Sequence, residues 1–312
     1  PVETKTELVN MSDEKLAGNK SPLSDQLQTY LKLGFSKNKK MLLFLNKKAQ
    51  SGHVYCRNCK YSDFARTNPG VCPNCKSQEI FFNSQNIKSI STLVQKIIPK
   101  ANIRLIVARE KTKSLESTSS TIDIATSAVF YKLLAKKYDL VAHLSCDTLL
   151  NITDFSSSEK LYSQLTNLKK ITTGLLFIQS YNPQNPIIQL SSSGNYESFY
   201  TSQLQLRKAL LYPPFSLMVK LTKKGKTEEI VEKKAQEIFE ILERNNQQNI
   251  SILGPYKPIF SSKSAKYNII LKIPTAGYSL ESKQKALKKA SSLLSFVPSD
   301  WQVEVEPESI SD

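Results

Sequence analysis

The sequence predicts an α/β protein in two parts: a Rossmann-like parallel sheet carrying a zinc-ribbon insertion, then a ferredoxin-like α/β sandwich. Short apolar runs alternate with helical stretches through the first part, the pattern of strands covered on both faces by helices. The last third reads strand, helix, strand, strand, helix, strand, which is the order of a split βαβ sandwich. Two close cysteine pairs early in the chain are spaced as metal knuckles.

Each element is justified by local pattern. Residues Pro1 to Ser21 are polar, and Ser24 is placed to cap a helix starting near Asp25 with Leu27, Tyr30, Leu31 and Leu33 on one face. The run Met41 to Asn46 is almost wholly apolar, as a strand buried on both sides must be. A helix from Ile87 to Ile98 stops at Pro99, and Asn102 to Ala108 forms the next strand. Thr121 to Thr126 and Leu140 to Leu144 are short strands around a helix from Ala128 to Lys136, and Gly174 to Gln179 is a stronger strand. Tyr181 to Asn195, with its prolines, serines and Gly194, reads as a connection between domains. A helix from Tyr196 to Leu210 then ends at Tyr212-Pro213-Pro214. The second part consists of strand Phe215 to Leu221, helix Thr227 to Arg244, strands Ile250 to Leu253 and Tyr267 to Ile273, helix Leu280 to Phe296 and strand Gln302 to Val305. The expected domains are therefore 1–190, with an insertion at about 53–80, and 191–312.

Composition bounds the function. A chain of 312 residues with 40% hydrophobic side chains has enough apolar surface for two cores. The formal charge of +16 points to a polyanion such as nucleic acid, or to a lysine-rich surface serving solubility. Its apolar runs are far shorter than a membrane span, so a cytoplasmic protein with no membrane partner is expected. The chain starts at Pro1, which suggests a fragment or split product.

Cys56-Arg57-Asn58-Cys59 and Cys72-Pro73-Asn74-Cys75 each offer two thiolates about one tight turn apart, and two such turns close a tetrahedron around one structural zinc ion. A redox pair, a disulfide pair and chance clustering are the competing readings. His53 reads as a surface histidine, Cys146 as a buried free thiol and His143 as a packed histidine. No phosphate-binding Gly-x-x-x-x-Gly-Lys loop and no Asp-Glu metal box occur, and no catalytic residue is assigned. Lys283 to Lys289 is either a nucleic-acid face or a solvated lysine run.

Taken together, these residues resemble the C-terminal portion of the primosomal protein N′ (PriA) family of replication-restart DNA helicases. The resemblance runs through Met11 to Leu27, Met41 to Ala49, the cysteine pairs, Cys146 to Phe155 and Ile178 to Gln189. It continues through Tyr196-Glu197-Ser198-Phe199-Tyr200 with Arg207, Leu211 to Phe215, Leu253-Gly254-Pro255 and Val303 to Pro307. It implies a RecA-like second helicase lobe with a zinc-binding insertion, followed by a C-terminal DNA-binding-type domain.

The departures from that family are specific. Its first lobe, with the phosphate loop, has no counterpart here, so the resemblance implies that this chain alone does not hold ATP. Ala125-Thr126-Ser127-Ala128 replaces the family's motif V, and Asn167 to Gly174 replaces its arginine-bearing motif VI. Lysine is a poor geometric substitute for a guanidinium acting on phosphoryl oxygens. The family's larger two-zinc module is shortened to a single site. The resemblance with these departures implies a zinc-containing DNA-binding component of replication restart whose helicase activity is lost. The alternatives are one half of a split 3′-5′ helicase completed by a separate first lobe, and a protein-interaction scaffold without DNA binding. Expected partners are forked or single-stranded DNA, single-strand-binding protein and other primosome proteins. Arg57, Lys60, Arg207, Lys257, Lys263 and Lys266 are the expected DNA contacts, chosen for charge beside a motif.

Overall fold

The computed structural model describes residues 4–45, 52–59, 61–65, 68–83, 86–107, 121–132, 136–152, 154–248, 250–258, 265–277 and 279–311. The chain divides into two compact units, Pro1–Asn151 with Ser158–Tyr196, and Ile152–Ser157 with Glu197–Asp312.

The first unit begins with β1 (Lys5–Asn10), α1 (Met11–Leu16), α2 (Asp25–Ser36) and β2 (Met41–Phe44). A small antiparallel sheet comes next, β3 (Gly52–Cys56), β4 (Ser62–Ala65) and β5 (Ile80–Asn83), with β3 in the middle. Then come α3 (Ile87–Ile97), β6 (Asn102–Ile106), β7 (Thr121–Ala125), α4 (Val129–Lys132), β8 (Tyr138–His143), α5 (Asp147–Leu150), α6 (Ser157–Ile171), β9 (Thr172–Ser180) and α7 (Pro186–Ser193). Six strands form one sheet in the order β1-β9-β8-β2-β7-β6, with every neighbouring pair parallel. β2 lies inside the sheet, and all four of its residues are apolar and buried, as in a strand covered on both faces. Its alternation divides them: Met41 and Leu43 join Leu27 and Leu31 of α2 and Ile90 and Val94 of α3 in one core. Phe44 points the other way, against Phe130 and His143 at ring distances of 5.3 and 5.0 Å.

Helix ends obey the chemistry of their caps. Ser24 accepts from the Leu27 N–H and starts α2, and Asn86 and Ser89 form a reciprocal capping box on α3.

The structure corrects several sequence expectations. The polar opening stretch contains β1, an edge strand whose register against β9 supplies an order that its weak alternation does not advertise. Leu33 is 49% exposed, leaving Leu27 and Leu31 as the buried face of α2. The stretch 181–195, expected as a connection, holds α7, which buries Ile187, Ile188 and Ser191. Its supposed linker signals are caps: Asn185 accepts from Ile187 N–H, Pro186 takes the first turn, and Gly194 closes the helix at φ 75°. α6 has no counterpart among the expected elements, although Leu161, Leu165 and Leu168 bury one helical stripe. The described part of the helix expected over 128–136 runs from Val129 to Lys132, and residues 133–135 lie outside the description.

The remaining chain comprises α8 (Tyr196–Ala209), β10 (Ser216–Gly225), α9 (Glu228–Arg244), β11 (Ser251–Tyr256), β12 (Ala265–Pro274), α10 (Leu280–Leu294) and β13 (Gln302–Val305). The strands of the second unit form an antiparallel sheet in the order β11-β12-β10-β13. Leu217, Val219 and Leu221 of β10 and Ile269, Leu271 and Ile273 of β12 meet Val231, Ala235 and Leu242 of α9 and Ala286, Ala290 and Leu293 of α10. Gly254 sits at φ 119°, and a Cβ there would stand 2.8 Å from the Asn268 carbonyl, so the backbone approach in β11 requires glycine. Among the described residues, no helix is long and apolar enough to cross a membrane.

Candidate metal centre

Two short turns bring four cysteines together. β3 ends on Cys56, whose N–H donates to the Tyr61 carbonyl at 2.8 Å, folding Arg57-Asn58-Cys59 into a tight turn. The second turn repeats the bond at the same offset, the Cys72 N–H donating to the Ser77 carbonyl at 2.8 Å. Cys56 and Cys72 are buried, while Cys59 and Cys75 are partly exposed. All four Sγ atoms lie within 4.8 Å of one another, with Cys56–Cys75 and Cys59–Cys72 both at 3.6 Å. Tetrahedral ligands about 2.3 Å from a central ion stand roughly 3.8 Å apart, so the thiolates fit one ion with a closed shell. A disulfide needs sulfurs about 2.05 Å apart, and all five cysteines are free thiols.

The turns also support each other across the site. The Asn58 side-chain amide donates to Cys75 Sγ at 3.6 Å, and the Asn74 amide to Cys59 Sγ at 3.5 Å. Each asparagine occupies the same position of its own turn and serves the last cysteine of the other, a relationship the sequence reading missed although Asn recurs in both turns. Asn74, with the Tyr61 backbone, draws the Cys59 thiol down to about 6. Cys56 is pushed up to about 11: backbone donation from Cys59 favours its thiolate, but burial and the Cys72 and Cys75 thiols outweigh it. Four sulfurs this close can all be thiolates only with a cation among them to offset their repulsion.

Around this centre the remaining expected site residues separate. Arg57 is exposed on the first turn, and its charge, after burial itself, helps lower Lys15 to about 8. Lys60 and Lys263 lie outside the described residues, as does the side chain of His53. Lys257 is paired with Glu228 at 2.8 Å, and Lys266 stands opposite Lys224 in the β10–β12 register. Arg207 is partly buried: its guanidinium donates to the Pro213 carbonyl at 2.5 Å and lies over the Phe155 ring at 5.1 Å. The Phe155 ring in turn stacks on Tyr212 at 5.4 Å.

Asp154, beside Phe155, accepts from the hydroxyls of Ser156 and Ser309, both at 2.6 Å, and from the Ile310 N–H at 2.9 Å. Burial opposes its charge, but those donors hold it at about 2. Asp147 accepts from Ser180 Oγ at 2.8 Å and the Tyr181 N–H at 3.0 Å, tying α5 to the end of β9. Cys146 is fully buried and its thiol is pushed up by that burial and by Asp147. Burial likewise lowers His143 to about 4. Neither has the exposure of a nucleophile or base, in line with the sequence reading.

In the stretch Asn167 to Gly174, α6 runs straight into β9, with Thr172 Oγ1 donating to the Leu168 carbonyl at 2.7 Å. Lys169, one of two lysines there, donates to the Ser192 carbonyl at 3.1 Å.

Residues 208–308 match the family model described as the primosomal protein N C-terminal domain. The chain is similar to replication restart protein PriA of Bacillus subtilis, 29% identical over 90% of this chain and 39% of that protein. It is also similar to the PriA proteins of Borreliella burgdorferi, 25% identical over 84% of this chain and 45% of that protein, and Synechocystis, 28% over 80% and 35%. The chain thus spans less than half the length of these relatives.

Proposed function

The chain is a relative of the C-terminal portion of PriA proteins, and on that premise we propose that it acts in DNA replication restart as a zinc-containing DNA-binding component without helicase activity of its own. The observation that carries this reading is a contrast: the four-thiolate cage keeps its full ligand set, while the stretch where the family places its phosphate-contacting arginines is occupied by the direct passage from α6 to β9. An arginine finger contributes about three to five decades of rate in phosphoryl transfer, so a lobe without one is a scaffold.

The metal is read as zinc, since an all-thiolate tetrahedral site favours it and a closed shell leaves no position for substrate. Its role is structural, holding the β3-β4-β5 insertion in place. The parallel order β1-β9-β8-β2-β7-β6 supports a RecA-like lobe, and the order β11-β12-β10-β13 with α9 and α10 on one core supports a ferredoxin-like sandwich. The partner is forked or single-stranded DNA, bound chiefly through phosphates, with single-strand-binding protein, other primosome proteins and a separate first lobe as further candidates. Of the six expected cationic contacts, exposed Arg57 and Lys257 suit that role better than Arg207, which is engaged by Phe155 and Pro213.

Elemental analysis should find about one zinc per chain, and Cys72→Ser should lose it. Anisotropy of labelled forked DNA should show binding that weakens steeply with salt. Absence of binding at low salt overturns the DNA-binding reading. Robust DNA-stimulated ATP turnover on adding a separate first lobe overturns the loss of motor activity.

A further inference from the structure

We propose that the outer face of α10 docks the sugar-phosphate backbone of DNA, through Lys285, Lys288 and Lys289. The inference rests on the DNA-binding reading above and locates its contact surface.

α9 and α10 pack into the same core, yet they present opposite charge to solvent. α9 carries six glutamates and three basic residues, whereas α10 carries one glutamate, Glu281, and four lysines. Ala286, Ala290 and Leu293 turn one face of α10 into the core. The helical period then sets Lys288 on the side opposite the core, with Lys285 and Lys289, one turn apart, along one flank, and all three are exposed. The fourth lysine, Lys283, lies toward the sheet and is held by Glu306 at 2.6 Å.

Little on this face competes with a phosphate. Lys285 pairs with Glu281 one turn away, but both side chains are about three-quarters exposed (72% and 74%), and a hydrated pair of that kind exchanges readily. Among the described residues, neither Lys288 nor Lys289 is paired with a carboxylate. Their neighbours Ser291 and Ser292 are small and turn their hydroxyl protons onto the Lys288 and Lys289 carbonyls, so these two positions place no bulky side chain beside the ammonium groups. Lys285 and Lys288 are about 4.5 Å apart along the helix axis, within the sweep of two flexible stems reaching successive phosphates. The acidic α9 of a second copy has the same complementary charge. The formal charge of +16 on each chain opposes that association and favours a polyanion.

The test is salt-dependent anisotropy of labelled forked DNA with the full chain and the triple variant Lys285→Gln, Lys288→Gln, Lys289→Gln. The variant should bind about tenfold or more weakly near 50 mM salt, and its log-log salt slope should be shallower by about two to three. A control, Lys233→Gln with Lys234→Gln on α9, should keep the slope. If the unmodified chain binds and the triple variant matches it in affinity and slope, the α10 assignment is overturned while the DNA-binding reading stands. If the unmodified chain binds no DNA at low salt, both fall. Sedimentation that reveals a dimer abolished by the triple variant assigns the face to a second copy and overturns the inference.

Discussion

Asn74 in the second cysteine turn donates its side-chain amide to Cys59 Sγ in the first, at 3.5 Å, and Asn58 answers across the same site toward Cys75 at 3.6 Å. Hydrogen bonds to a coordinating thiolate orient it and disperse its charge, and loss of such outer partners weakens metal affinity by about ten- to a hundredfold. Asn74→Ala should lower zinc affinity by about tenfold in competition with a chromophoric chelator, leaving the metal stoichiometry at saturation unchanged. Asn58→Ala should behave alike. An unchanged affinity in both variants would mean that the amides merely fill space.

Asp154 joins a segment early in the second unit to the end of the chain, through Ser309 and Ile310. Asp154→Asn removes a charged acceptor and should destabilise the second unit by about 2 kcal/mol at pH 7 in urea unfolding. The pH dependence has a definite sign. The folded carboxyl sits at about 2, below the ordinary value near 3.9, so its contribution is fully present above about pH 4 and disappears as pH falls toward 2. The stability difference between wild type and variant should shrink across that window.

Asp123, fully buried, takes paired hydrogen bonds from Arg104 at 2.8 and 2.7 Å, one from Lys136 at 2.8 Å and one from the Tyr138 hydroxyl at 2.7 Å. Asp123→Asn leaves two cations without their counter-charge and should cost about 3 kcal/mol, measured by denaturation of the first unit. Tyr138→Phe removes a neutral donor and should cost about 1 kcal/mol. Equal costs would show that charge is not what matters at this site.

His143 lies inside the first unit with its pKa lowered to about 4 by burial, against an ordinary value near 6.5. The unfolded chain therefore binds the extra proton between those values, and stability falls as pH drops from 6.5 to 4, by at most about 1.4 kcal/mol per pH unit. His143→Leu should flatten that part of the stability profile in thermal scans at constant ionic strength. A profile that stays as steep assigns the acid sensitivity to other groups.

Features encoded within a few residues of one another are legible in the bare sequence. The x-x spacing of Cys56/Cys59 and Cys72/Cys75 determines which atoms can share one ion, because a tight turn fixes their separation locally. Strand and helix order in the second unit is readable for the same reason, since period-two and 3.6-residue patterns are properties of short windows. Where a local signal has two meanings, only the fold chooses. Asn185, Pro186 and Gly194 serve as linker residues or as the caps of α7, and burial of Ile187 and Ile188 decides for the helix. β1 exists because β9 supplies its partner, 170 positions away at Lys5 and Leu175. Arg207 carries a charge suited to DNA, but the Phe155 ring and Pro213 carbonyl engage it. The sequence by itself determined the two cysteine pairs, the order of elements in the second unit and the excess of positive charge. Tertiary structure alone decided which asparagines serve which thiolates, what Asp154 holds and which lysines remain exposed, because those depend on distances between residues that only the folded chain brings together.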